Sequence, residues 1–146
     1  MIVREMFSKL LVPIDGSDNS FRALNHAIFL SKKIVAQTTA LHAMENLPFA
    51  HVGSQRALNA IILKYQEESK NILDKSRDIG SKNGVKVKTV LKKGDATSII
   101  IDYSKKEDYD TIIMGRRGMG KLRQLVLGST STKVLSHSDC TVVIVK

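Results

Sequence analysis

The sequence predicts a doubly wound α/β fold, in which a five-stranded parallel sheet carries helices on both faces. Two observations carry this prediction. Short β-branched runs alternate along the chain with longer stretches of helical periodicity, the pattern typical of a parallel sheet. The chain has 146 residues, 42% of them hydrophobic, and no repeat or linker divides it. We therefore expect a single domain, residues 1–146, with one adequate core.

Each predicted strand is a short run rich in apolar and β-branched residues. The third run, VKVKTVL, alternates valine with lysine, which is typical of a half-exposed strand at or near a sheet edge. The fifth run, TVVIV, is apolar on both faces, a pattern that fits an open sheet edge as well as an interior strand. The five runs are residues 7–14, 38–44, 85–91, 111–114 and Thr141–Val145.

The connections between the strands contain stretches of helical periodicity, and we expect right-handed crossovers. A capping cluster at residues 17–20 begins the first helix, Gly94 and Asp95 precede the third, and Ser129 opens the fourth. Residues 45–55 show no clear period and are predicted to form a loop beyond the second strand. The residues predicted to face the sheet are Phe21, Leu24, Ala27, Ile28, Ile34 and Val35 in the first helix and Leu58, Ile61, Ile62, Tyr65, Ile72, Leu73 and Ile79 in the second.

Composition excludes several classes of protein. No run approaches the roughly 20 apolar residues that cross a bilayer, and the N-terminal residues lack the apolar core of a secretory signal. The lone Cys140 cannot form an intramolecular disulfide, and no Cys/His framework for a metal is present in the sequence. We therefore expect a cytoplasmic protein without membrane association.

The net charge of +9 is unevenly distributed. No acidic residue occurs between Thr111 and Ser138, and this segment contains several basic side chains, so it favours an anionic ligand. A nucleic-acid partner is not expected, because only 5% of the residues are aromatic and no reader motif is present. The basic residues of the segment are Arg116, Arg117, Lys121, Arg123 and Lys133.

The fourth predicted strand runs into a glycine-rich segment. Gly115, Gly118 and Gly128 are spaced G-x2-G-x9-G, and Ser129 follows at a predicted helix start. Glycines let a ligand approach the backbone, and the N-terminus of a helix supplies unpaired N–H donors with partial positive charge. This combination predicts phosphate binding.

Two better-known phosphate motifs fail in the same segment. A Walker A loop would need Ser or Thr after Lys121, where this chain has Leu122. A dinucleotide fingerprint beginning at Gly118 would need a glycine where Arg123 stands. The spacing that holds is therefore the one that ends in Gly128 and Ser129.

With this spacing the chain resembles the universal stress protein family, in its nucleotide-binding branch. The resemblance extends over nearly the whole chain, including the VPIDGS sequence after strand one, LHA in strand two and the closing TVVIV. It implies a Rossmann-like fold of the adenine nucleotide alpha hydrolase type, with strand order 3-2-1-4-5. It also implies binding of ATP, ADP or AMP, with Mg²⁺ as a candidate companion, and a homodimer formed through strand Thr141–Val145.

The resemblance further implies which residues contact the nucleotide. Asp15 would face the adenine and ribose, and the backbone near Ala43 would frame the base. Two departures from the family pattern are Arg116, where a small polar residue is usual, and Thr141, where proline is frequent. The candidate nucleotide-binding residues are Pro13, Ile14, Asp15, Ala43, Met114, Gly115, Arg117, Gly118, Gly128, Ser129 and Thr130.

Each candidate also has a purely structural interpretation. Asp15 fits an N-cap or turn residue, and any single basic residue of the loop fits a solvated surface charge. His42 on a buried strand is more often a hydrogen-bonded structural histidine than a catalytic one, and Cys140 fits a small core hydrophobe.

Three functions compete at this level. The first is a nucleotide-binding sensor or regulator of the stress response, with slow ATP hydrolysis left open because no general base is evident. The second is an adenylating enzyme of the ATP-pyrophosphatase type, whose SGGxDS signature is only partly matched at Asp15 and Gly16. The third is a basic nucleic-acid-binding protein, which a steep salt dependence of RNA binding would support.

Overall fold

A computed structural model of the chain describes residues 6–46, 53–117 and 127–146. Within them it confirms the doubly wound α/β fold, with one parallel sheet in the order β3-β2-β1-β4-β5. The elements are β1 (Lys9–Pro13), α1 (Asp18–Ile34), β2 (Gln37–Met44), α2 (Gln55–Lys82), β3 (Val87–Lys93), α3 (Ala96–Lys106), β4 (Thr111–Gly115), α4 (Ser129–His137) and β5 (Thr141–Val145).

The strand order reverses between β1 and β4. Leu10 of β1 pairs with Thr38 of β2 on one side and with Thr111 of β4 on the other. β2 and β3 lie on one side of β1, and β4 and β5 lie on the other side. In such sheets the crevice for a ligand opens at the carboxyl ends of the two strands where the order reverses.

The two faces of the sheet bury separate cores, because alternate side chains of a strand point to opposite faces. One core joins the sheet to α1 and α2, the other to α3 and α4, where half-buried Cys140 also packs. Leu10, Val12 and Ile14 of the first strand region belong to the first core, and Leu11 to the second. This two-sided burial explains why the central strands are continuous apolar runs.

Side-chain caps fix where three helices begin. Ser17 Oγ accepts from the N–H of Ser20 at 3.2 Å, Ser54 Oγ from the N–H of Ala57 at 3.1 Å, and Asp95 Oδ2 from the N–H of Ser98 at 2.9 Å. Such caps satisfy N–H groups that have no partner inside the helix. The Ser98 bonds lower the pKa of the Asp95 carboxyl below its usual value.

Two predicted helix faces differ from the structure. The prediction that Ile34 and Val35 face the sheet is wrong, since Ile34 is 46% exposed and Val35, 90% exposed, ends α1 in a left-handed conformation with φ 55°. In α2 the residues Leu58, Ile61 and Ile62 are only half-buried, and Tyr65 is 38% exposed. The physical reason is length, because α1 and α2 are longer than the strands beneath them and their ends extend past the sheet.

The edges of the sheet agree with the sequence pattern. β3, the lysine-rich strand, lies at one edge, although it begins at Val87 and ends at Lys93, two residues later than predicted at each end. β5 lies at the other edge. Among the described residues, no helix has the length and apolar character needed to cross a membrane.

Candidate functional site at the switch point of the sheet

A cavity of about 620 Å³ opens at the carboxyl ends of β1, β2 and β4. This volume lies within the range of about 300–1,000 Å³ that is common for small-molecule sites. Its walls come from both faces of the sheet, since α2 contributes Tyr65, Glu68, Ser69 and Ile72, and α3 contributes Ala96 and Ile100. The cavity therefore occupies the crevice that the strand order predicts.

The structure brings together the candidate residues that it describes. They come from the turn after β1, the end of β2, the end of β4 and the start of α4, which are distant in sequence. Gly118 lies outside the described residues. The candidates that line the cavity are Pro13, Ile14, Asp15, Ala43, Met114, Gly115, Arg117, Gly128, Ser129 and Thr130.

Asp15 combines a turn role with a place in the cavity wall. Its Oδ1 atom accepts hydrogen bonds from the backbone N–H of Ser17 at 2.9 Å and from the Ser17 hydroxyl at 2.5 Å. Gly16 completes the turn with φ 88°, a conformation that side chains other than glycine rarely adopt. The carboxylate is exposed and uses Oδ1 to hold the turn, so Oδ2 is the oxygen suited to a ligand.

The N-terminus of α4 forms the opposite wall. Gly128 is the N-cap residue of α4, and no side-chain hydrogen bond caps this helix. The Ser129 hydroxyl, at the first helical position, is therefore not used as a cap. The Gly128 N–H donates to the carbonyl of Arg116 at 2.8 Å, which ties the start of α4 to the end of β4. The first N–H groups of the helix after Gly128 can therefore donate to an anion in the cavity.

Gly115 is needed for packing as well as for access. A Cβ at this position would lie 2.8 Å from the backbone carbon and oxygen of Asn19 in α1. The Ser131 hydroxyl of α4 donates to the Gly115 carbonyl at 2.9 Å. The sequence motif suggested a glycine that admits a ligand, whereas the structure adds a close contact between β4 and α1 that requires the same residue.

Charge is distributed unequally along the cavity wall. The carboxylates of Asp15, Glu45 and Glu68 line it together with the guanidinium of Arg117 and the N-terminus of α4. Carboxylates can accept from amino or hydroxyl groups of a ligand, and Arg117 with the helix N-terminus favours a phosphate. Within residues 6–46, 53–117 and 127–146, no three His, Cys, Asp or Glu side chains cluster as a metal site.

Sequence reasoning missed the wall contributed by α2. Its buried residues Ser69, Leu73, Ser76 and Gly80 recur at helical spacing, but three of the four are small or polar. A hydrophobic pattern search overlooks such a face. His42, expected to be a hydrogen-bonded structural residue, is confirmed as one, and it also lines the cavity.

The fold and the cavity together define a doubly wound α/β protein with a ligand-sized site at its topological switch point. The family model described as "Universal stress protein family" matches residues 6–146. The chain belongs to the universal stress protein family, which confirms the resemblance found in the sequence.

Individual relatives agree with this assignment. The chain is 31% identical over 148 residues to universal stress protein YxiE of Bacillus subtilis, covering 97% of this chain and 100% of YxiE. The solved structure of MJ0577 from Methanocaldococcus jannaschii superposes with a TM-score of 0.83 at 28% identity, covering 97% of each chain. A family protein from Arabidopsis thaliana, solved with AMP bound, has a TM-score of 0.67 at 18% identity, covering 95% of this chain and 91% of that one.

Proposed function

We propose that this chain is a cytoplasmic sensor or regulator that binds an adenine nucleotide in the cavity at the switch point. The observation that carries the proposal is the pairing of the Asp15 turn with the N-terminus of α4 across one cavity. The first wall offers a carboxylate for the sugar or base, and the second offers backbone donors and Arg117 for phosphate. The AMP bound to the Arabidopsis family protein gives independent support for this ligand class.

The expected affinity follows from these contacts. A hydrogen bond to a charged group contributes about 1.5 to 3 kcal/mol, so three or four such bonds support micromolar binding after the cost of association. Such a protein would act through differential binding, because a nucleotide shifts a conformational equilibrium only by its difference in affinity between two states. No catalytic residue is assigned.

The test is to denature the purified protein, identify any released nucleotide by mass spectrometry, and titrate the emptied protein with ATP, ADP and AMP. Titration with and without Mg²⁺ shows whether the ion accompanies the phosphates. Bound adenine nucleotide or micromolar affinity supports the proposal. Absence of both from a folded protein contradicts it, and a salt-dependent interaction with RNA would then be tested.

We also propose a homodimer formed through β5 (Thr141–Val145). The N–H of Thr141 donates to Asp110 and the carbonyl of Val145 accepts from Arg116, so both residues point their backbone groups toward β4. Every second residue of an edge strand in a parallel pair directs its N–H and carbonyl toward the neighbouring strand, so Val143 also faces β4, whereas Val142 and Ile144 face the open edge. Val142 and Ile144 therefore offer N–H and carbonyl groups to a second copy.

A matched pair of variants tests the dimer. Val142→Pro removes one outward N–H and none of the bonds to β4, whereas Val142→Ala retains the N–H and only shortens the side chain. We expect Val142→Pro to sediment as a monomer and Val142→Ala as a dimer. A monomeric wild type would contradict the homodimer, and a dimer that survives Val142→Pro would place its interface elsewhere.

A further inference from the structure

His42 holds a hydrogen-bond partner at each ring nitrogen. Nδ1 lies 2.7 Å from the carbonyl oxygen of Ile14, and Nε2 lies 3.1 Å from the Ser69 hydroxyl. A carbonyl oxygen only accepts, so Nδ1 carries the proton, and in the neutral ring Nε2 accepts from Ser69. His42 as a whole residue is 9% exposed. Both polar atoms are engaged within the protein, so His42 has none left to bind a ligand.

The hydrogen bond between His42 and the Ile14 carbonyl holds the peptide group that leads into the Asp15 turn. The N–H of Ile14 donates to the carbonyl of Leu41 at 2.8 Å, and its carbonyl accepts from His42. Both backbone groups of Ile14 are therefore held by β2. Because the Ile14 carbonyl belongs to the same peptide as the Asp15 N–H, the imidazole sets the direction in which Asp15 enters the cavity.

The hydrogen bond between His42 and the Ser69 hydroxyl holds the part of the cavity wall that α2 forms. Ser69 is 2% exposed and is the first buried residue of this helix, since residues 55–68 are half-buried or exposed. One turn further on, Ile72 packs against the Asp15 turn, where a Cβ on Gly16 would lie 3.0 Å from Ile72 Cδ1. α2 is thus joined to the Asp15 turn in two ways, directly by the side chain of Ile72 and indirectly by the two hydrogen bonds of His42.

We propose that His42 is a positioning residue that sets the turn at Asp15 and the α2 wall relative to one another. It acts on ligand affinity through Asp15 and Ser69 and not through a hydrogen bond of its own to the ligand. The inference rests on the proposed function for the identity of the ligand. Because His42 acts at the Asp15 turn and not at the start of α4, its effect is independent of the number of phosphates.

Two serines on one helix give a matched test. Ser69→Ala removes the hydroxyl that donates to His42, whereas Ser76→Ala removes an equally buried hydroxyl that donates to the Ile72 carbonyl of its own helix. We expect Ser69→Ala to weaken the binding of AMP, ADP and ATP by one common factor of about five to ten, which corresponds to the loss of one hydrogen bond. Ser76→Ala should change affinity less than about twofold, on the scale of an ordinary helix substitution.

A spectroscopic readout tests the same inference without nucleotide. Nuclear magnetic resonance of ¹⁵N-labelled protein should show the His42 proton on Nδ1, and the Asp15 amide signal should move in Ser69→Ala but not in Ser76→Ala. A proton on Nε2, or an Asp15 signal unchanged by Ser69→Ala, overturns the inference.

The two proposals fail in different ways. If wild-type protein binds nucleotide and Ser69→Ala binds as tightly as Ser76→Ala, the positioning role is wrong and the proposed function stands. A loss that grows from AMP to ATP also overturns the positioning role. If wild-type protein binds no nucleotide, the proposed function fails, and the spectroscopic result alone decides whether His42 orients the turn.

Discussion

Gly115 at the end of β4 packs against the backbone of Asn19 in α1, so closely that a Cβ would lie 2.8 Å from the Asn19 carbonyl. The contact places the first turn of α1 beside the strand that borders the cavity. It makes Gly115 a structural residue of the site, because both neighbouring atoms belong to the main chain and cannot rotate away.

Gly115→Ala should therefore lower the free energy of unfolding by about 1 to 3 kcal/mol, the usual cost of overpacking. Urea denaturation measures this loss. Gly53→Ala is the matched control, since a Cβ at Gly53 meets nothing within 4 Å. Equal stability of the two variants would show that β4 and α1 separate easily.

Gly128→Val should abolish nucleotide binding and leave the fold largely intact. Gly128 has φ −70°, which valine adopts without strain, but the new side chain would stand at the α4 N-terminus where phosphate is expected. Calorimetric titration with ATP measures the loss, and circular dichroism checks folding. Ser136→Val, an exposed position at the other end of α4, is the control. Wild-type affinity in Gly128→Val would contradict the proposed phosphate site.

Two substitutions separate the roles of Asp15. Asp15→Asn keeps an oxygen that can accept from the Ser17 N–H and hydroxyl, whereas Asp15→Ala removes the turn bonds as well as the charge. We expect each variant to weaken the binding of AMP, ADP and ATP by the same factor for all three nucleotides. Only Asp15→Ala should also lower the free energy of unfolding, by about 1 kcal/mol. Calorimetry and thermal unfolding measure the two effects. A loss confined to ATP would instead assign Asp15 to the metal or the terminal phosphate.

Asp110 should make stability depend on acid pH. Burial of its carboxyl raises the pKa, but bonds from the hydroxyls of Ser8 and Thr111 and from the N–H groups of Lys9 and Ser8 outweigh it, and the net pKa is lowered. Because the folded pKa lies below the unfolded one, the stabilisation is present above about pH 4 and is lost as the pH falls through the folded pKa.

Urea unfolding of wild type and Asp110→Asn between pH 7 and pH 2 tests this. The variant should be less stable at pH 7, and the difference should shrink as the pH falls below about 4, because Asp110 takes up a proton first in the unfolded chain and then, at lower pH, in the folded one. Asp108→Asn changes an exposed neighbour whose side chain forms no hydrogen bond or ion pair with the described residues, and it controls for net charge. A difference that stays constant with pH would show that the Asp110 bonds do not depend on ionisation.

The two halves of α2 should differ in local stability. All its buried residues lie between Ser69 and Gly80, whereas residues 55–68 have only half-buried or exposed side chains. Amide hydrogen exchange of ligand-free protein should therefore be faster in 55–68 than in 69–80, because exchange follows local opening. Uniform protection along the helix would show that the first half is held by contacts as strong as those of the second.

Much of the fold could be predicted from the sequence. The β-branched runs and helical stripes are local patterns, and strand β5 was predicted with the bounds that the structure has. The ends of α1 and α2 could not be predicted, because the burial of Ile34 or Tyr65 depends on where the sheet beneath them stops. The spacing of Gly115, Gly128 and Ser129 marked the site, although their role toward nucleotide stays a prediction.

The sequence by itself determined the class of fold, the family and the segments that surround the switch point, because periodicity, turn residues and motif spacing are properties of neighbouring positions. Tertiary structure alone decided that Gly115 faces Asn19 and that His42 joins Ile14 to Ser69. Such contacts join residues far apart along the chain, and close packing of helices on a sheet sets their distances.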